Sequence, residues 1–465
     1  NYLSRMEKDI HEAIDKQRIR LFSSLASPNI VEACRIGNGI LQFTPEEIQK
    51  FKEAFVKYNG SLSFFIPASG VGSRMFDFLQ QFLGSMGHEQ GDEVRLFLSK
   101  IQSFAFYHEV NEEWRQLLMD PSVDLLALCD YLLGPQGLNF SGTPKALFPF
   151  HRMNEKNTSP LEGHLRQGKT SLKPIDSFHF TVQQEHLYQL SAERDVLLKS
   201  FPFNIDFSTQ ALETDSYVFD EFMQPLSNQS ASYVRRPAGH GAILSNLNDL
   251  ESDLIFIKNI DNIQCPSHDE PVNNAWELLG GVMVSLRNEL LSAYTAKDIA
   301  AFKSVCSDFH LLDETDVITR WEDVSAMLQR PFRVCGMVKN EGMPGGGPFW
   351  VSHEGVKTKQ IIEKSQIDSI HLAKLTESSH FNPVMMAISP HDLMGNKLDL
   401  TKFVREDLSM AVKKNHLGKT VYYLEKPGLW NGSMYYWNTI FVEIPSNVFS
   451  PVKNVMDLLN PSHCC

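Results

Sequence analysis

A short apolar run that ends in a glycine-containing loop constrains this chain more than any other stretch. The run Leu62–Ile66 predicts a buried strand, and the following loop, residues 68–75, contains Gly70, Gly72 and Arg74. Glycine lets the backbone turn sharply and bring its N–H groups close to a ligand, and a guanidinium suits phosphate oxygens. Because amphipathic helical sequence follows, the pattern predicts a strand, a phosphate-binding loop and a helix. Taken alone, it also fits a tight turn between two core elements.

The composition excludes several classes of protein. The chain of 465 residues has a formal net charge of −13 and no basic tract, which argues against broad binding to nucleic acid. No run approaches the roughly 20 apolar residues that a membrane-spanning helix needs, and the first residues lack the apolar core of a signal peptide. The length allows two or three domains or one elaborated α/β domain. We therefore expect a cytoplasmic globular protein that does not bind membranes.

The seven cysteines are scattered and odd in number. This pattern predicts reduced cytosolic thiols rather than a disulfide framework. The terminal pair Cys464-Cys465 follows His463 and could bind a metal adventitiously, but the position at the chain end favours a frayed tail. We therefore assign residues 451–465 to a C-terminal tail.

The order of the remaining patterns predicts an α/β fold with helical additions. Residues 1–60 form a predicted N-terminal helical segment, in which Thr44 is an N-cap and Glu47 completes a capping box. Residues 61–450 form the predicted α/β domain. A helical insertion is predicted at about residues 76–140 of that domain, where apolar residues recur at helical spacing.

A second informative cluster begins with the glycine-bracketed loop Gly239-His240-Gly241. It precedes the apolar run from Asp253 to Ile257, which predicts a strand and ends in Lys-Asn-Ile-Asp-Asn, residues 258–262. Ligands of open α/β sheets bind beyond the carboxyl ends of strands, and a carboxylate between two amides suits Mg²⁺ and phosphate or sugar oxygens. A satisfied Asn/Asp turn is the competing interpretation. The strongly apolar strand favours a functional end.

Three further stretches carry candidate residues. Lys145 lies between two prolines, which restrict the backbone and suit a positioned charge, although a surface lysine is the usual case. The three glycines at residues 345–347, beside Glu341, suit the close approach of a sugar ring. The aromatic-rich stretch 428–443 contains Asn438 and could pack a sugar or base, although core packing explains most aromatic stripes.

These motifs, taken in order, resemble those of sugar-1-phosphate nucleotidyltransferases. The loop Ala68-Ser69-Gly70-Val71-Gly72-Ser73-Arg74 resembles their Gly-x-Gly-Thr-Arg signature, and Pro144-Lys145 resembles their Pro-Lys motif. Three further segments resemble elements of the UDP-sugar pyrophosphorylase branch: Gly239-His240-Gly241, Asn259-Ile260-Asp261-Asn262 and Trp437-Asn438-Thr439. The chain most resembles an uncharacterised bacterial family that shares these motifs and has no assigned substrate.

The resemblance implies an α/β fold with a mixed, mostly parallel sheet sandwiched by helices. It also implies the reaction of a nucleoside triphosphate, UTP by the Gly-His-Gly likeness, with a sugar 1-phosphate to give an NDP-sugar and pyrophosphate. The residues that it implies are catalytic Arg74, Lys145 and Asp261, with Asp261 also holding the cofactor Mg²⁺; nucleotide-binding Ala68, Ser69, Gly70, Gly72, Ser73, Gly239, His240 and Gly241; and sugar-binding Asn262, Glu341, Gly346 and Asn438.

One departure from the family sets a structural condition. Lys145 follows the glycine loop by about 70 residues, where the family has its lysine close by. The helical insertion must therefore fold aside to return Lys145 to the loop. Two alternatives to the transferase remain: a sensor or scaffold that binds a nucleotide sugar without turnover, and glycosyl transfer from a nucleotide sugar. Arg74 disfavours the latter, because its charge suits a triphosphate tail.

Overall fold

The computed structural model describes residues 2–23, 25–70, 72–120, 122–228, 232–313, 317–342, 345–367, 372–416 and 419–465. Of the stretches discussed above, Val71, Met343 and Pro344 lie outside the described residues. The chain divides into two compact units. The first unit comprises Asn1–Gly60, Gln210–Phe256 and Leu278–Ile444, and the second comprises Ser61–Thr209, Ile257–Glu277 and Pro445–Cys465.

The α-helices lie between Tyr2 and Leu375. They are α1 (Tyr2–Phe22), α2 (Pro45–Lys57), α3 (Asp77–Gly84), α4 (Gly91–Ser99), α5 (Glu112–Leu118), α6 (Leu125–Leu133), α7 (Pro160–Lys169), α8 (Leu187–Leu197), α9 (Leu244–Asn248), α10 (Asp269–Thr295), α11 (Ile299–Asp308), α12 (Ser325–Leu328) and α13 (Leu372–Leu375). Among the described residues, none of these helices has the length and apolarity that a membrane crossing requires.

The strands lie between these helices or after them, singly or in consecutive groups. They are β1 (Asn29–Ala33), β2 (Arg35–Ile36), β3 (Gly39–Leu41), β4 (Leu62–Pro67), β5 (His151–Met153), β6 (Lys156–Thr158), β7 (Ser177–Val182), β8 (Asn204–Thr209), β9 (Ser216–Tyr217), β10 (Arg235–Arg236), β11 (Leu254–Ile257), β12 (Phe332–Lys339), β13 (Gly347–His353), β14 (Val356–Ile362), β15 (His380–Phe381), β16 (Met386–Ser389), β17 (Met410–His416), β18 (Lys419–Glu425) and β19 (Asn438–Glu443).

The first unit contains a mixed sheet in which strands β2, β3, β19, β12 and β16 are consecutive neighbours. The pairs β2–β3, β3–β19 and β19–β12 are parallel, whereas β12–β16 is antiparallel. A smaller antiparallel sheet has the order β1-β13-β14. Strand β12 is buried along almost its full length, which explains its near-continuous apolar sequence.

The second unit contains the parallel run β4-β7-β8 and a large helical core. Helices α3, α4 and α6 supply a cluster of phenylalanines and leucines that the C-terminal residues Val452, Val455 and Leu458 complete. Ring pairs such as Phe76 stacked on Phe140, at 4.8 Å, hold this cluster together. The mixed, mostly parallel α/β architecture predicted from the sequence is confirmed.

Two local predictions for the chain ends need correction. Thr44 and Glu47 form the predicted capping box of α2, but residues 1–60 also contain the strands β1–β3. Each is only two to five residues long. Strands β1 and β3 pair with the distant strands β13 and β19, and β2 pairs with β3, so helical periodicity cannot reveal them. The C-terminal tail is not frayed, since it packs in the core of the second unit and forms short 3₁₀ helices at Val455–Leu459 and Pro461–His463.

Candidate functional site

The glycine loop follows strand β4 directly and is joined to the segment that carries Lys145. The Gly72 amide donates to the Thr143 carbonyl at 3.1 Å, and the Lys145 amide donates to the Gly70 carbonyl at 3.2 Å. A β-carbon on Gly72 would lie only 2.6 Å from the Thr143 oxygen, so this contact requires glycine. The insertion α3–α6 therefore does fold aside, and the chain returns Lys145 to the loop.

The glycine loop leaves open space beside Gly70. A β-carbon on Gly70 would meet no atom within 4 Å, so open space faces this residue. Ala68 is buried and its amide donates to the Thr181 carbonyl at 2.8 Å, while the Ser69 carbonyl accepts from Gln183 at 2.8 Å. Ser73 and Arg74 follow in the 3₁₀ helix Gly72–Phe76, and Arg74 is exposed to solvent.

The Lys145 ammonium group is buried and held by two acceptors. Its Nζ donates to the carbonyl of Val452 at 2.9 Å and to Oδ2 of Asp261 at 3.3 Å. Burial lowers the pKa of Lys145; the Asp261 carboxylate raises this pKa, and the charges of Lys453 and Arg74 lower it. The loop, Lys145 and Asp261, predicted to form one site, are thus neighbours in the second unit.

Asp261 reaches this position because the chain after β11 runs beside β4. The amides of Lys258 and Ile260 donate to the carbonyls of Phe65 and Pro67, and the Asp261 carbonyl accepts from the Val452 amide at 3.0 Å. Asp261 is 6% exposed. Its Oδ1 atom is buried and has no hydrogen-bond partner among the described residues. A buried acceptor without a donor is unusual, and a water, an ion or a ligand commonly satisfies such an atom.

Lys453 belongs to this cluster, although no role was predicted for it from the sequence. Its Nζ lies 2.9 Å from Oδ2 of Asp261, and its side chain is 59% exposed. The residue lies 192 positions from Asp261 in the chain, and no motif marks it. Lys145 and Lys453 both pair with Asp261, and the charge of Arg74 acts on Lys145, so positive charge exceeds negative charge here, which suits a phosphorylated ligand.

Asn262, predicted to contact sugar, holds the C-terminal segment of the second unit. Its Oδ1 accepts from the Ser450 amide at 3.0 Å, and its Nδ2 donates to the Val448 carbonyl at 3.5 Å. The side chain is 2% exposed. These bonds satisfy the amide group with backbone partners, and its contact with sugar stays a prediction.

The Gly-His-Gly loop lies in the first unit, where protein contacts explain its residues. Gly239 has a φ of +75°, a conformation that favours glycine. The His240 ring stacks on Trp430 at 4.2 Å, and its Nδ1 accepts from the Leu429 amide at 2.9 Å. Burial lowers the pKa of His240. A β-carbon on Gly241 would collide with the Pro427 carbonyl. Their role toward a nucleotide stays a prediction.

The remaining predicted sugar-binding residues also belong to the first unit. Glu341 is exposed. A β-carbon on Gly346 would lie 2.5 Å from the Ile361 side chain, so this glycine allows close packing of the protein itself. The Asn438 amide group donates to the Met327 carbonyl at 2.9 Å. The contacts of Gly346 and Asn438 are with the protein itself. The assignment of all three residues to sugar binding stays a prediction.

The comparisons with known proteins place the chain in a family. The model of the family described as Domain of unknown function (DUF4301) matches residues 3–464. The chain belongs to the DUF4301 family. A comparison with curated proteins gave no match.

Solved structures resemble the DUF4301 chain over nearly its whole length. The UDP-N-acetylglucosamine pyrophosphorylase of Trypanosoma brucei, in complex with an inhibitor, is 11% identical with a TM-score of 0.51, and the match covers 97% of this chain and 74% of that one. A UDP-glucose phosphorylase of the same organism (11%, 0.43, 93% and 69%) and a UDP-glucose pyrophosphorylase mutant of Leishmania major (12%, 0.43, 99% and 75%) are also similar. The predicted likeness to UDP-sugar pyrophosphorylases is confirmed at the level of the fold.

Proposed function

We propose that this DUF4301 protein is a nucleotidyltransferase that joins a nucleoside triphosphate, UTP, and a sugar 1-phosphate to give an NDP-sugar and pyrophosphate. The observation that carries the proposal is the cluster of Lys145, Asp261 and Lys453 beside the glycine loop. A loop with exposed space at Gly70 and three neighbouring cations fits an elongated polyphosphate. The structural likeness to a UDP-N-acetylglucosamine pyrophosphorylase supports the proposal at the level of the fold.

The chemistry follows from charge and position. The sugar phosphate oxygen attacks the α-phosphorus in line, and pyrophosphate leaves on the opposite side. Lys145, fixed by Val452 and Asp261, neutralises charge on the α-phosphate or the attacking phosphate, and Lys453 does so from the solvent side. Arg74, exposed on the loop helix, binds the leaving pyrophosphate. The protein mainly positions the reactants.

Asp261 fits a role in holding Mg²⁺. Its Oδ2 accepts from both lysines, whereas its Oδ1 is buried without a hydrogen-bond partner among the described residues. Mg²⁺ prefers oxygen ligands and is bound in many phosphate sites by one or two carboxylates together with the phosphates of the substrate. When bound, the ion neutralises charge on the phosphates. Asp261 is thus the residue that we propose as the Mg²⁺ ligand.

A non-catalytic nucleotide-sugar-binding protein is the second candidate. Both lysines already pair with Asp261, and such a closed network also serves a purely structural purpose. Structural ion pairs of this kind occur without catalysis. The two candidates differ in turnover and share the ability to bind a nucleotide sugar.

The deciding experiment measures pyrophosphate release in the presence of Mg²⁺, with a panel of nucleoside triphosphates against a panel of sugar 1-phosphates. The Asp261→Asn protein serves as the blank, because it keeps the shape of the side chain and removes its charge. Release that requires both substrates and is lost in the variant supports the transferase. No release from any pair, together with thermal stabilisation by a UDP-sugar, supports the binding protein instead.

A further inference from the structure

A second cluster of reactive side chains lies in the second unit, outside the Lys145 cluster. His151, at the start of β5, lies with Cys265 and Cys465 so that their potential ligand atoms are all within 4.8 Å of one another. Cys265 and Cys465 are joined by a disulfide across a Cα–Cα distance of 5.5 Å. The prediction that the cysteines are free thiols is therefore wrong for this pair, because the fold brings together residues 200 positions apart.

The hydrogen bonds of two histidines determine which nitrogen of His151 lacks a partner. His463 Nε2 lies 3.0 Å from the Ser450 carbonyl, which can only accept, so this nitrogen carries a proton. In a neutral imidazole the other nitrogen, Nδ1, then has a lone pair, which accepts from His151 Nε2 at 2.9 Å. The remaining nitrogen, His151 Nδ1, therefore also carries a lone pair and no proton.

This lone pair is buried and unused. His151 is 2% exposed, and its Nδ1 has no hydrogen-bond partner among the described residues. A buried acceptor that lacks a donor destabilises the folded state unless something else occupies it. A neutral imidazole nitrogen beside two sulfur atoms is a ligand arrangement that Zn²⁺ prefers.

We propose that the reduced form of this cluster is a zinc site, with His151 Nδ1 and the thiolates of Cys265 and Cys465 as ligands. A thiol reductant supplies the two electrons and two protons that convert the S–S bond into two thiols. Metal binding then releases both thiol protons to solvent as the thiolates coordinate. Cys465 is exposed, so water reaches the fourth position of a tetrahedral ion.

The surrounding residues support this ligand set. His463 accepts the Nε2 proton of His151, which is the kind of partner that orients a metal-binding imidazole. The disulfide alone engages the two sulfur atoms and leaves the His151 lone pair without a function. Zn²⁺ uses all three groups.

The site lies next to the segments that carry Asp261 and Lys453. Cys265 follows Asp261 by four residues, and Cys465 ends the segment that supplies the Val452 carbonyl and Lys453 to the Lys145 cluster. Either the disulfide or the metal fixes this segment to the chain after β11. We therefore expect the redox state and zinc content to alter how firmly Lys453 is held.

The test uses the full chain, freed of metal by a chelator and kept under a phosphine reductant without oxygen. Co²⁺ is titrated first, because sulfur ligation produces intense sulfur-to-cobalt charge-transfer absorption, and Zn²⁺ is then added to displace it. We expect about one metal ion per chain and the sulfur signature. The wild-type protein with its disulfide intact should bind neither ion at this site.

Three variants define the ligands. Cys465→Ser and His151→Gln should each lower affinity by more than the roughly 10–100-fold loss that follows removal of an outer partner of a metal ligand. The Gln side chain keeps a donor toward His463. Cys464→Ser is the matched control, since Cys464 is the exposed neighbour, and it should bind as the wild type does.

Several results would overturn the proposal: no sulfur signature in the reduced wild type, equal binding by Cys465→Ser, or loss of binding in Cys464→Ser alone. Near-ultraviolet circular dichroism checks that each variant is folded. If a variant fails to fold, the comparison of oxidised with reduced wild type still tests the proposal. Equal metal binding in both states would contradict thiolate ligation. These readouts are independent of nucleotidyl transfer, so failure of the proposed function leaves the zinc test intact.

Discussion

The Nζ atom of Lys453 lies 2.9 Å from Oδ2 of Asp261, although 192 positions separate the two residues in the chain. The neighbouring Val452 accepts a hydrogen bond from Lys145 and donates one to the Asp261 carbonyl. The C-terminal segment thus closes the candidate site with both backbone and side-chain contacts. Its role is to complete a cation cluster that the glycine loop alone does not form.

Replacement of Lys453 tests this role. Because the side chain is 59% exposed, Lys453→Gln should change the free energy of unfolding by no more than about 1 kcal/mol. On the proposed function, kcat/KM for pyrophosphate release should fall by about 100-fold, since a charge that stabilises the transition state is lost. Lys199→Gln, at an exposed lysine of the same unit, is the control for loss of one charge. Equal rates in both variants would remove Lys453 from the site.

Arg74 should separate activity from stability in the same way. The side chain is exposed, so Arg74→Gln should unfold at the same urea concentration as the wild type. Pyrophosphate release should fall about 100-fold or more, because the guanidinium is proposed to bind the leaving group. Steady-state kinetics with varied nucleoside triphosphate measure the effect. An unchanged kcat/KM would contradict the assignment of Arg74.

Gly72 and Gly70 should respond differently to the same added methyl group. Gly72→Ala places a β-carbon 2.6 Å from the Thr143 carbonyl and should destabilise the protein by about 1–3 kcal/mol in urea unfolding. Gly70→Ala meets no atom within 4 Å and should unfold like the wild type. If the proposed function is correct, however, a nucleoside triphosphate should stabilise the Gly70→Ala protein less against heat, because the added methyl group enters the space left for phosphate. Full nucleotide stabilisation of Gly70→Ala would place the phosphate elsewhere.

The buried Lys258 should make stability depend on alkaline pH. Its Nζ donates to Oε1 of Gln167 at 2.6 Å; burial lowers the pKa of Lys258 to about 7, the charge of Asp269 raises this pKa, and that of Arg166 lowers it. In the unfolded chain the pKa is about 10.4. Between these values the unfolded state binds more protons, so the contribution of Lys258 to stability rises with pH from about 7 to about 10 and is constant below that range.

The variant Lys258→Met isolates this contribution. Urea unfolding at several pH values should give a wild-type free energy of unfolding that rises relative to that of Lys258→Met as the pH increases from about 7 to about 10. The difference between the two proteins is the informative quantity, because other groups titrate equally in both. A difference that does not change with pH would show that Lys258 has an ordinary pKa in the folded protein.

Local sequence patterns predicted many elements of the fold. The runs that end at Ile66 and Ile257 are strands β4 and β11, and Thr44 and Glu47 cap α2 as predicted. Such features arise from periodicity and turn chemistry within a few residues, so one segment is sufficient to reveal them. The short strands β1 and β3 escaped prediction because they depend on the distant partners β13 and β19, and β2 forms only beside β3.

The candidate site shows the same division between local and long-range information. By itself the sequence determined a strand, a glycine loop and a strand end bearing Asp261, and it indicated Lys145 through a family resemblance. Only the tertiary structure decided that Lys145 returns to the loop, that Lys453 joins Asp261, and that Cys465 meets Cys265. The physical reason is that these contacts join residues 75 to 200 positions apart in the chain, a separation that local side-chain patterns do not encode.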